Sequence, residues 1–345
     1  MNIKEVAKSA GVSTATVSRV VNGSARVDPH TEKSVRAAIE RTGYYPNTHA
    51  RTLGTGKSNI YGLIISDIEN PFFPELVKHF EHAAVEHGQE ILIANTDYRP
   101  ERMQTSVRRM IERKVDGVAI MTSEMEPKLV QTLSGRGIPI VFLDTGTVGN
   151  MISNISIDYS GGIDLAIDHL VALGHRRIAF VSGPADLASA HMRHDAFLAS
   201  LKRKKLKTAR ELLRTGNHRI DGGHAAMVEM LKLSDRPTAV LASNDLTAIG
   251  VMGAIHDAGL RVPEDISVVG FDDIEVSSYI HPPLTTVRVS RAEIATRAFA
   301  SLYAASHKGV SKGVAIQVST ELISRQSTGP VNKNFSITSH KRQKL

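Results

Sequence analysis

Acidic, amide and aromatic side chains recur just after short apolar runs in the long C-terminal part of the chain. The set comprises Asn70, Phe72, Phe73, Asp97, Asp144, Asp158, Arg193, Asn244, Asp245, Asp272 and Asp273. Carboxylates, amides and guanidinium groups form directional hydrogen bonds, and aromatic rings offer apolar faces, so the set suits a hydroxyl-rich ligand such as a sugar. Asp and Asn also cap helices that follow strands, and for each residue alone capping is an equally good interpretation.

A second group of polar side chains lies near the N-terminus. Arg19 can donate two hydrogen bonds to a guanine, and Thr14 can contact a base edge or a methyl group. The short donors suited to phosphate contacts are Ser13, Thr16, Ser18 and Asn22. These residue types favour nucleic-acid binding, although a three-helix protein-interaction domain would have the same apolar spacing.

Three short helices are predicted to position this polar group. The first, from Ile3 to Ala10, ends at Gly11, where the backbone can turn. Ser13 can cap the second helix, residues 14–21, whose Val17, Val20 and Val21 are expected to face the first. A third helix begins at Asp28-Pro29 and ends at Gly43. The pattern is typical of a helix-turn-helix, which places its second helix in the DNA major groove.

Beyond residue 60, short β-rich apolar runs alternate with helical stretches. The predicted strands are 60–66, 90–94, 117–121, 139–143, 177–182, 239–242 and 266–270, and the predicted helices include 74–87, 101–113, 161–173, 191–204 and 246–258. This alternation predicts an α/β architecture of two doubly wound lobes with parallel sheets. Ligands of such sheets bind beyond the carboxyl ends of the strands, where the first polar set lies.

Composition and charge fit this two-part organisation. The 345 residues include no cysteine, which excludes disulfides and cysteine-based metal sites. Residues 1–58 hold nine Lys and Arg against four Asp and Glu, and the tail from 331 holds four basic residues and no acids. A basic head on a nearly neutral body suggests a polyanionic partner. The absence of a signal segment and of a long apolar run predicts a cytoplasmic protein without a membrane partner.

Several motifs carry a specific resemblance. Ile3-Lys4-Glu5-Val6-Ala7, Gly11-Val12-Ser13, Thr16 to Asn22 and Gly43-Tyr44-Tyr45-Pro46-Asn47 resemble the LacI/GalR family of bacterial regulators. The likeness extends from residue 2 to about 328, and later motifs include Ser243-Asn244-Asp245 and Val269 to Asp273. The resemblance implies a helix-turn-helix head joined to a receptor of two periplasmic-binding-protein-like lobes.

The resemblance also implies which residues contact DNA. Thr14, Ala15 and Arg19 match the family's base-reading positions, and Ala15 departs from the longer polar side chain that many relatives carry. The implied DNA-binding set is completed by Ser13, Thr16, Ser18, Asn22, Tyr44, Asn47, Ala50 and Leu53. Residues 47–53 match a hinge helix that forms on operator DNA, and Leu53 matches a leucine that wedges into the minor groove. Packing of Leu53 against the body is the alternative.

For the small molecule, the resemblance points mainly to Arg193, Asn244 and Asp272. His218 matches an aromatic position that stacks on effectors in relatives, and its imidazole is a departure. Phe72 and Phe73 match the lining of the opposite lobe. The expected effector-binding residues are Phe72, Phe73, Asp97, Asp144, Asp158, Arg193, His218, Asn244 and Asp272. Asp245, Asp273 and His175 are interpreted as structural.

Other kinds of site fit the sequence poorly. Gly54-Thr55-Gly56-Lys57-Ser58 ends like a P-loop, but Arg51 stands where the first glycine is required. The pairs His79/His82 and His191/His194 have helical spacing without an evident third metal ligand. No paired catalytic carboxylates or nucleophile motif emerges, so neither an enzyme nor a cofactor is expected. A transport receptor is disfavoured by the basic head.

The predicted organisation is a helix-turn-helix domain (1–46), a hinge and linker (47–58), an effector-binding domain (59–330) and a basic tail (331–345) expected to be disordered. Within the effector-binding domain, lobe 1 comprises about 59–159 and 290–321, and lobe 2 about 160–289 and 322–330. The expected function is that of a repressor that binds a pseudo-palindromic operator as a homodimer, or a higher oligomer, under allosteric control by a sugar-like effector. Activation in place of repression is the alternative, and the effector either releases or promotes DNA binding.

Overall fold

A computed structural model describes residues 2–21, 27–44, 57–122, 125–144, 148–207 and 209–332. The predicted hinge helix and the DNA contacts at Asn22, Asn47, Ala50 and Leu53 lie outside these residues, as do the P-loop-like glycines and the tail beyond residue 332. None of the described helices is long and apolar enough to cross a bilayer.

The N-terminal head consists of helices α1 (Ile3–Ala10), α2 (Thr14–Val21) and α3 (Pro29–Thr42). Gly11, with φ 66°, ends α1 in the left-handed conformation that glycine adopts without strain. The Ser13 hydroxyl caps α2 by accepting a hydrogen bond from the Thr16 amide at 3.1 Å. The helices enclose a small apolar core that includes Val6, Val17 and Val35. This is the predicted helix-turn-helix.

Lobe 1 is built on a six-stranded sheet with the order β11-β5-β4-β3-β1-β2. Its strands are β1 (Ile60–Ile65), β2 (Glu90–Asn95), β3 (Gly117–Met121), β4 (Ile140–Leu143), β5 (Ile152–Ile157) and β11 (Ala315–Val318), and its helices are α4 (Phe72–Glu86), α5 (Pro100–Glu112), α6 (Pro127–Ser134) and α11 (Arg291–His307). All pairings are parallel. Helices α4 and α11 pack together against the buried strands of this sheet.

Lobe 2 repeats the arrangement with the order β12-β10-β9-β8-β6-β7. Its strands are β6 (Ile178–Ser182), β7 (Leu213–Thr215), β8 (Ala239–Ala242), β9 (Ser267–Asp272), β10 (Thr285–Val289) and β12 (Thr320–Ile323), and its helices are α7 (Tyr159–Ala172), α8 (Ala188–Arg203), α9 (Ile220–Leu231) and α10 (Asp245–Asp257), with 3₁₀ turns at Arg210–Leu212 and Glu275–Ser278. The β10–β12 pairing is antiparallel and the others are parallel.

The chain passes between the lobes three times, after β5, after β10 and between β11 and β12. The last passage falls at Ser319, because Thr320 already pairs with Val289 in the sheet of lobe 2. The expected boundary at residues 321/322 therefore lies inside β12. All three passages lie at the β11/β5 edge of one sheet and the β12/β10 edge of the other.

Several elements were not predicted from the sequence. In β5 the buried positions alternate and include Ser153, so the strand lacks a continuous apolar run. Two glycines interrupt the apolar pattern of α9. At one of them, Gly223, a Cβ would lie 2.1 Å from the Thr247 carbonyl oxygen of α10. The glycine is required by close packing of two helices, which the sequence alone does not reveal.

Candidate functional site

The exposed face of α2 carries the residues expected to read DNA. Thr14, Ala15 and Arg19 are exposed, whereas Val17 and Val20 are buried beneath them. Ser13 is exposed but its hydroxyl also caps α2 and lies 3.0 Å from that of Thr16. Thr16 and Ser18 are half-buried, and Tyr44 packs against the core of the head. The head therefore presents a compact row of short polar side chains with one guanidinium.

A cleft with about 600 Å³ of empty space, part of it open to solvent, lies between the two lobes. Seven of the nine predicted effector residues line it, namely Phe72, Phe73, Asp144, Arg193, His218, Asn244 and Asp272. They come together because the carboxyl ends of the parallel strands of both lobes face this space. The cleft is the best-supported ligand site among the described residues.

Arg193 lies buried at the centre of the lobe 2 wall. It was placed among the strand-end residues and also within the helix predicted over 191–204, and the structure places it in α8, which begins at Ala188. Its guanidinium carbon lies 4.5 Å from the ring centroid of Tyr159 and 5.1 Å from that of Phe271. Its Nε has no hydrogen-bond partner among the described residues. The two rings adjoin each other, with centroids 5.7 Å apart, so the buried guanidinium packs against both and is held in place by them.

Asp272, at the end of β9, is the nearest acid to Arg193. Its Oδ1 lies 3.6 Å from an Arg193 terminal nitrogen, which is close enough for an ion pair but too far for a hydrogen bond, and Oδ1 has no hydrogen-bond partner among the described residues. Arg291 donates hydrogen bonds to the Asp272 and Asp273 carbonyl oxygens and so fixes the strand end. Burial raises the pKa of Asp272 to about 6, although Arg193 and Arg291 act in the opposite direction.

His218 provides a third buried polar atom. Its Nδ1 lies 3.2 Å from the Ser243 hydroxyl, and its Nε2 has no partner among the described residues. A Cβ on Gly183 would lie 2.0 Å from Nε2, so only glycine leaves room for the ring. Burial, assisted by the charge of Arg193, lowers the pKa of His218 to about 3. The imidazole is therefore neutral at physiological pH.

Asp144 and Asn244 line the cleft but are largely occupied by the protein. The Tyr159 hydroxyl and the Ile157 amide each donate to Asp144 at 2.7 Å. Burial raises the pKa of Asp144. Asn244 caps α10 by accepting from the Thr247 amide at 2.9 Å, and its amide nitrogen donates to the His218 carbonyl oxygen at 2.9 Å. Both residues hold other cleft residues in position.

Asp97 and Asp158, the remaining two predicted effector residues, do not line the cleft. Asp97 has φ 53° and its carboxylate faces Arg99 and Arg102 at 3.5 and 3.6 Å. Asp158 caps α7 by accepting a hydrogen bond from the Gly161 amide at 2.9 Å. For Asp158, the observed contact is therefore the helix cap that was the alternative to ligand binding. The neighbouring residues Tyr98 and Tyr159 line the cleft instead.

The sequence did not single out several cleft residues. They are Ser66, Tyr98, Met121, Thr122, Leu143, Ile157, Tyr159, Leu187 and Ser189. Most of them directly follow or end a strand of lobe 1, so the strand-end argument could have found them. Tyr159 and Ser189 lie in the first turns of α7 and α8, and no sequence pattern distinguished them from other helix residues.

Three residues interpreted as structural have structural contacts. Asp245 accepts from the Ile274 amide and the Thr286 hydroxyl, and burial raises its pKa well above the usual value. Asp273 pairs with Arg288 and Arg325. His175 bridges Thr238 and the Gly329 carbonyl oxygen. Within the described ranges, no three His, Asp or Glu side chains are grouped so that they could hold a metal ion.

Comparison with known proteins supports the assignment of both parts of the chain. Residues 2–47 match the family of bacterial regulatory proteins of the lacI type, and residues 167–328 match a periplasmic binding protein-like domain. The HTH-type transcriptional repressor PurR of Mannheimia succiniciproducens is 34% identical over 328 residues, which are 94% of this chain and 98% of that protein. The ribose operon repressor of Escherichia coli is 35% identical, with coverage of 85% and 89%.

Solved structures show the same architecture. The lac repressor dimer bound to operator and the anti-inducer ONPF superposes with a TM-score of 0.86 at 30% identity, over 95% of this chain and 99% of that one. A LacI family regulator from Enterococcus faecium with bound ribose gives 0.72 at 26% identity, over 79% and 100%. Since the sequence likeness and the superposition both extend over nearly the whole chain, the protein belongs to the LacI family of bacterial transcriptional regulators.

Proposed function

We propose that the protein is a homodimeric transcriptional repressor that binds operator DNA through α2 and is controlled by a sugar-like effector in the cleft between the lobes. Such a protein acts on the chromosome, so the cytoplasm is its expected compartment. The single observation that carries the effector site is the set of three buried polar atoms without partners, Arg193 Nε, His218 Nε2 and Asp272 Oδ1. Buried polar groups are normally hydrogen-bonded, so their occurrence in three residues that line one cleft favours a ligand.

The chemistry of these atoms favours hydroxyl groups. Arg193 Nε offers a donor and Asp272 Oδ1 an acceptor, and a hydroxyl can satisfy either because it both donates and accepts. The neutral imidazole of His218 can accept or donate at Nε2, depending on its tautomer. A ligand with several hydroxyl groups can therefore offer a partner to each kind of atom in this set. Phe72 and Phe73, whose ring planes are 84° apart, add apolar surface on the lobe 1 side.

The DNA-binding half of the proposal rests on the head. A guanidinium and short hydroxyl side chains on one face of a capped helix suit the major groove, with Arg19 the residue that discriminates bases most strongly. Relatives with this head are named repressors, and the superposed lac repressor is bound to its operator as a dimer. By linkage, an effector that binds the free and the DNA-bound forms unequally must alter operator affinity.

Isothermal titration with a panel of pentoses, hexoses, sugar phosphates and purines tests the cleft. We expect a neutral sugar to bind and to raise the melting temperature, because a ligand bound only by the folded state stabilises it. Selection from random duplexes, with and without that sugar, tests the head. Binding of a purine alone would contradict the sugar assignment, and the absence of any preferred duplex would contradict the proposed function as a whole.

A further inference from the structure

The three chain passages join the lobes at one edge only. They lie next to β5 and β11 in lobe 1 and next to β10 and β12 in lobe 2, at the same end of each strand order. The opposite edges are formed by β1 and β2 in lobe 1 and by β6 and β7 in lobe 2. When the lobes open about the three passages, these opposite edges move apart the furthest. A contact between the lobes at these edges therefore opposes opening most effectively.

An ion-pair cluster joins the lobes at that far edge. Arg219, in the connection from β7 to α9, donates to Asp67 Oδ2 at 2.8 Å and to Glu69 Oε2 at 2.7 Å. The two acids follow β1 in lobe 1, whereas Arg219 belongs to lobe 2. One guanidinium thus bridges two carboxylates of the other lobe through two different terminal nitrogens, a geometry to which its planar fork is suited.

Within their own lobes, Asp67 is held through its side chain and Arg219 through its backbone, whereas the side chain of Glu69 is 72% exposed. The side chain of Asp67 is only 6% exposed, and its second oxygen accepts from the Glu69 amide at 3.0 Å. On the other side, the Arg219 amide donates to the Asn217 side chain at 3.0 Å, and Asn217 in turn donates to Asp221. A buried carboxylate that is already held loses less conformational freedom on pairing than a mobile surface side chain, so the contact with Asp67 is favoured over an ordinary exposed ion pair.

The cluster is continuous with the cleft. Arg219 directly follows His218, and Asp67 directly follows Ser66, so each partner is the chain neighbour of a residue that lines the ligand space. We propose that Arg219 is a positioning residue that clamps the two lobes shut beside the effector through Asp67 and Glu69, without contacting the effector. The consequence for the effector rests on the proposed function of the cleft, whereas the clamp itself does not.

Hydrogen exchange of the full-length, ligand-free dimer tests the clamp. In Arg219→Gln we expect amides in the peptides covering residues 66–71 and 214–222 to exchange about twofold to fivefold faster, which is the range that loss of a surface ion pair supports. Arg219→Lys should restore part of the protection, because an ammonium can still meet one carboxylate. Glu69→Gln combined with Arg219→Gln should add little to Arg219→Gln alone, since the Arg219–Glu69 contact is already lost in that variant.

Arg203→Gln provides a matched control. Arg203 pairs with Asp164 inside lobe 2 and is exposed to a similar extent, 49% against 42% for Arg219. It should leave exchange at residues 66–71 unchanged. Unaltered exchange in Arg219→Gln, or equal acceleration in every peptide of both lobes, would overturn the proposal. Because no ligand is used, failure of every sugar to bind would count against the proposed function and leave this result standing.

Discussion

Arg193 and Asp272 face each other at 3.6 Å in the wall of the cleft without forming a hydrogen bond, and Arg193 Nε and Asp272 Oδ1 both lack partners among the described residues. A buried guanidinium and carboxylate would ordinarily close to a direct contact. Both residues line the cleft between the lobes. The pair is therefore suited to being bridged by a ligand that both accepts and donates.

Replacing the guanidinium tests that interpretation. Arg193→Gln should weaken binding of the sugar identified by titration by about 2 kcal/mol or more, because loss of one partner of a buried charge-assisted contact has an effect of this size. Operator affinity of the ligand-free protein should change little. Arg176→Gln, at a lobe 2 arginine that contacts carbonyl oxygens outside the cleft, is the control. Equal loss of operator and sugar binding would indicate misfolding and contradict the assignment.

Sugar binding should depend on pH through Asp272. Its pKa is raised to about 6 by burial, so the carboxylate is protonated in a growing fraction of molecules below that pH. A hydroxyl that donates to Oδ1 needs the ionised form, and affinity should therefore fall as the pH drops, approaching about tenfold per unit well below 6. His218, with a pKa of about 3, does not titrate in this range.

Titrations between pH 5 and 7.5 measure this effect, and Asp272→Asn should abolish the dependence. The same shift acts on folding in the absence of ligand. Because the folded-state pKa is raised, the contribution of Asp272 to stability is fully present below its unfolded-state pKa of about 4 and is lost as the pH rises through about 6. Affinity in the unmodified protein that stays constant from pH 5 to 7 would refute the hydroxyl–carboxylate contact.

The role of the His218 ring can be tested by changing Gly183, the residue that leaves space for it. Gly183→Ala puts a methyl group where the ring lies, 2.0 Å from Nε2, so the imidazole must move. We expect at least a tenfold loss of sugar affinity with the operator affinity retained. Gly253→Ala, in α10, is the matched control, because its Cβ would be 3.7 Å from the nearest side chain. An unchanged sugar affinity in Gly183→Ala would show that His218 does not contribute to binding.

Reading of the operator should depend on Arg19. Arg19→Ala should reduce operator affinity by roughly 1–3 kcal/mol and relax specificity at one base pair, because a bidentate guanine contact is removed. Arg36→Ala is the comparison, since Arg36 lies on α3 and pairs with Glu32. Competition among duplexes that differ at single positions provides the measurement. If Arg19→Ala retained the original sequence preference, docking of α2 in the major groove would be wrong.

The sequence by itself determined the elements that depend on local interactions. The head followed from the spacing of Val17 and Val20, the Ser13 cap and the turn at Gly11, all within a few residues of one another. Apolar runs similarly predicted β1 to β4 of lobe 1 and β6, β8 and β9 of lobe 2. The strand-end rule placed Asp144, Asn244 and Asp272 at the cleft, because parallel strands bring their carboxyl ends to one side of a sheet.

Only the tertiary structure decided which polar residues are available to a ligand. Asp158 and Asp272 are the same residue type at comparable strand ends, yet one caps α7 and the other keeps an unpaired oxygen. The contact between Arg219 and Asp67 likewise joins residues that are distant in the chain and that only the packing of two lobes brings together. Capping a helix and binding a ligand require the same chemical groups, so the residue type alone does not distinguish the two roles. Burial and the available hydrogen-bond partners do, and the packing of the lobes sets both.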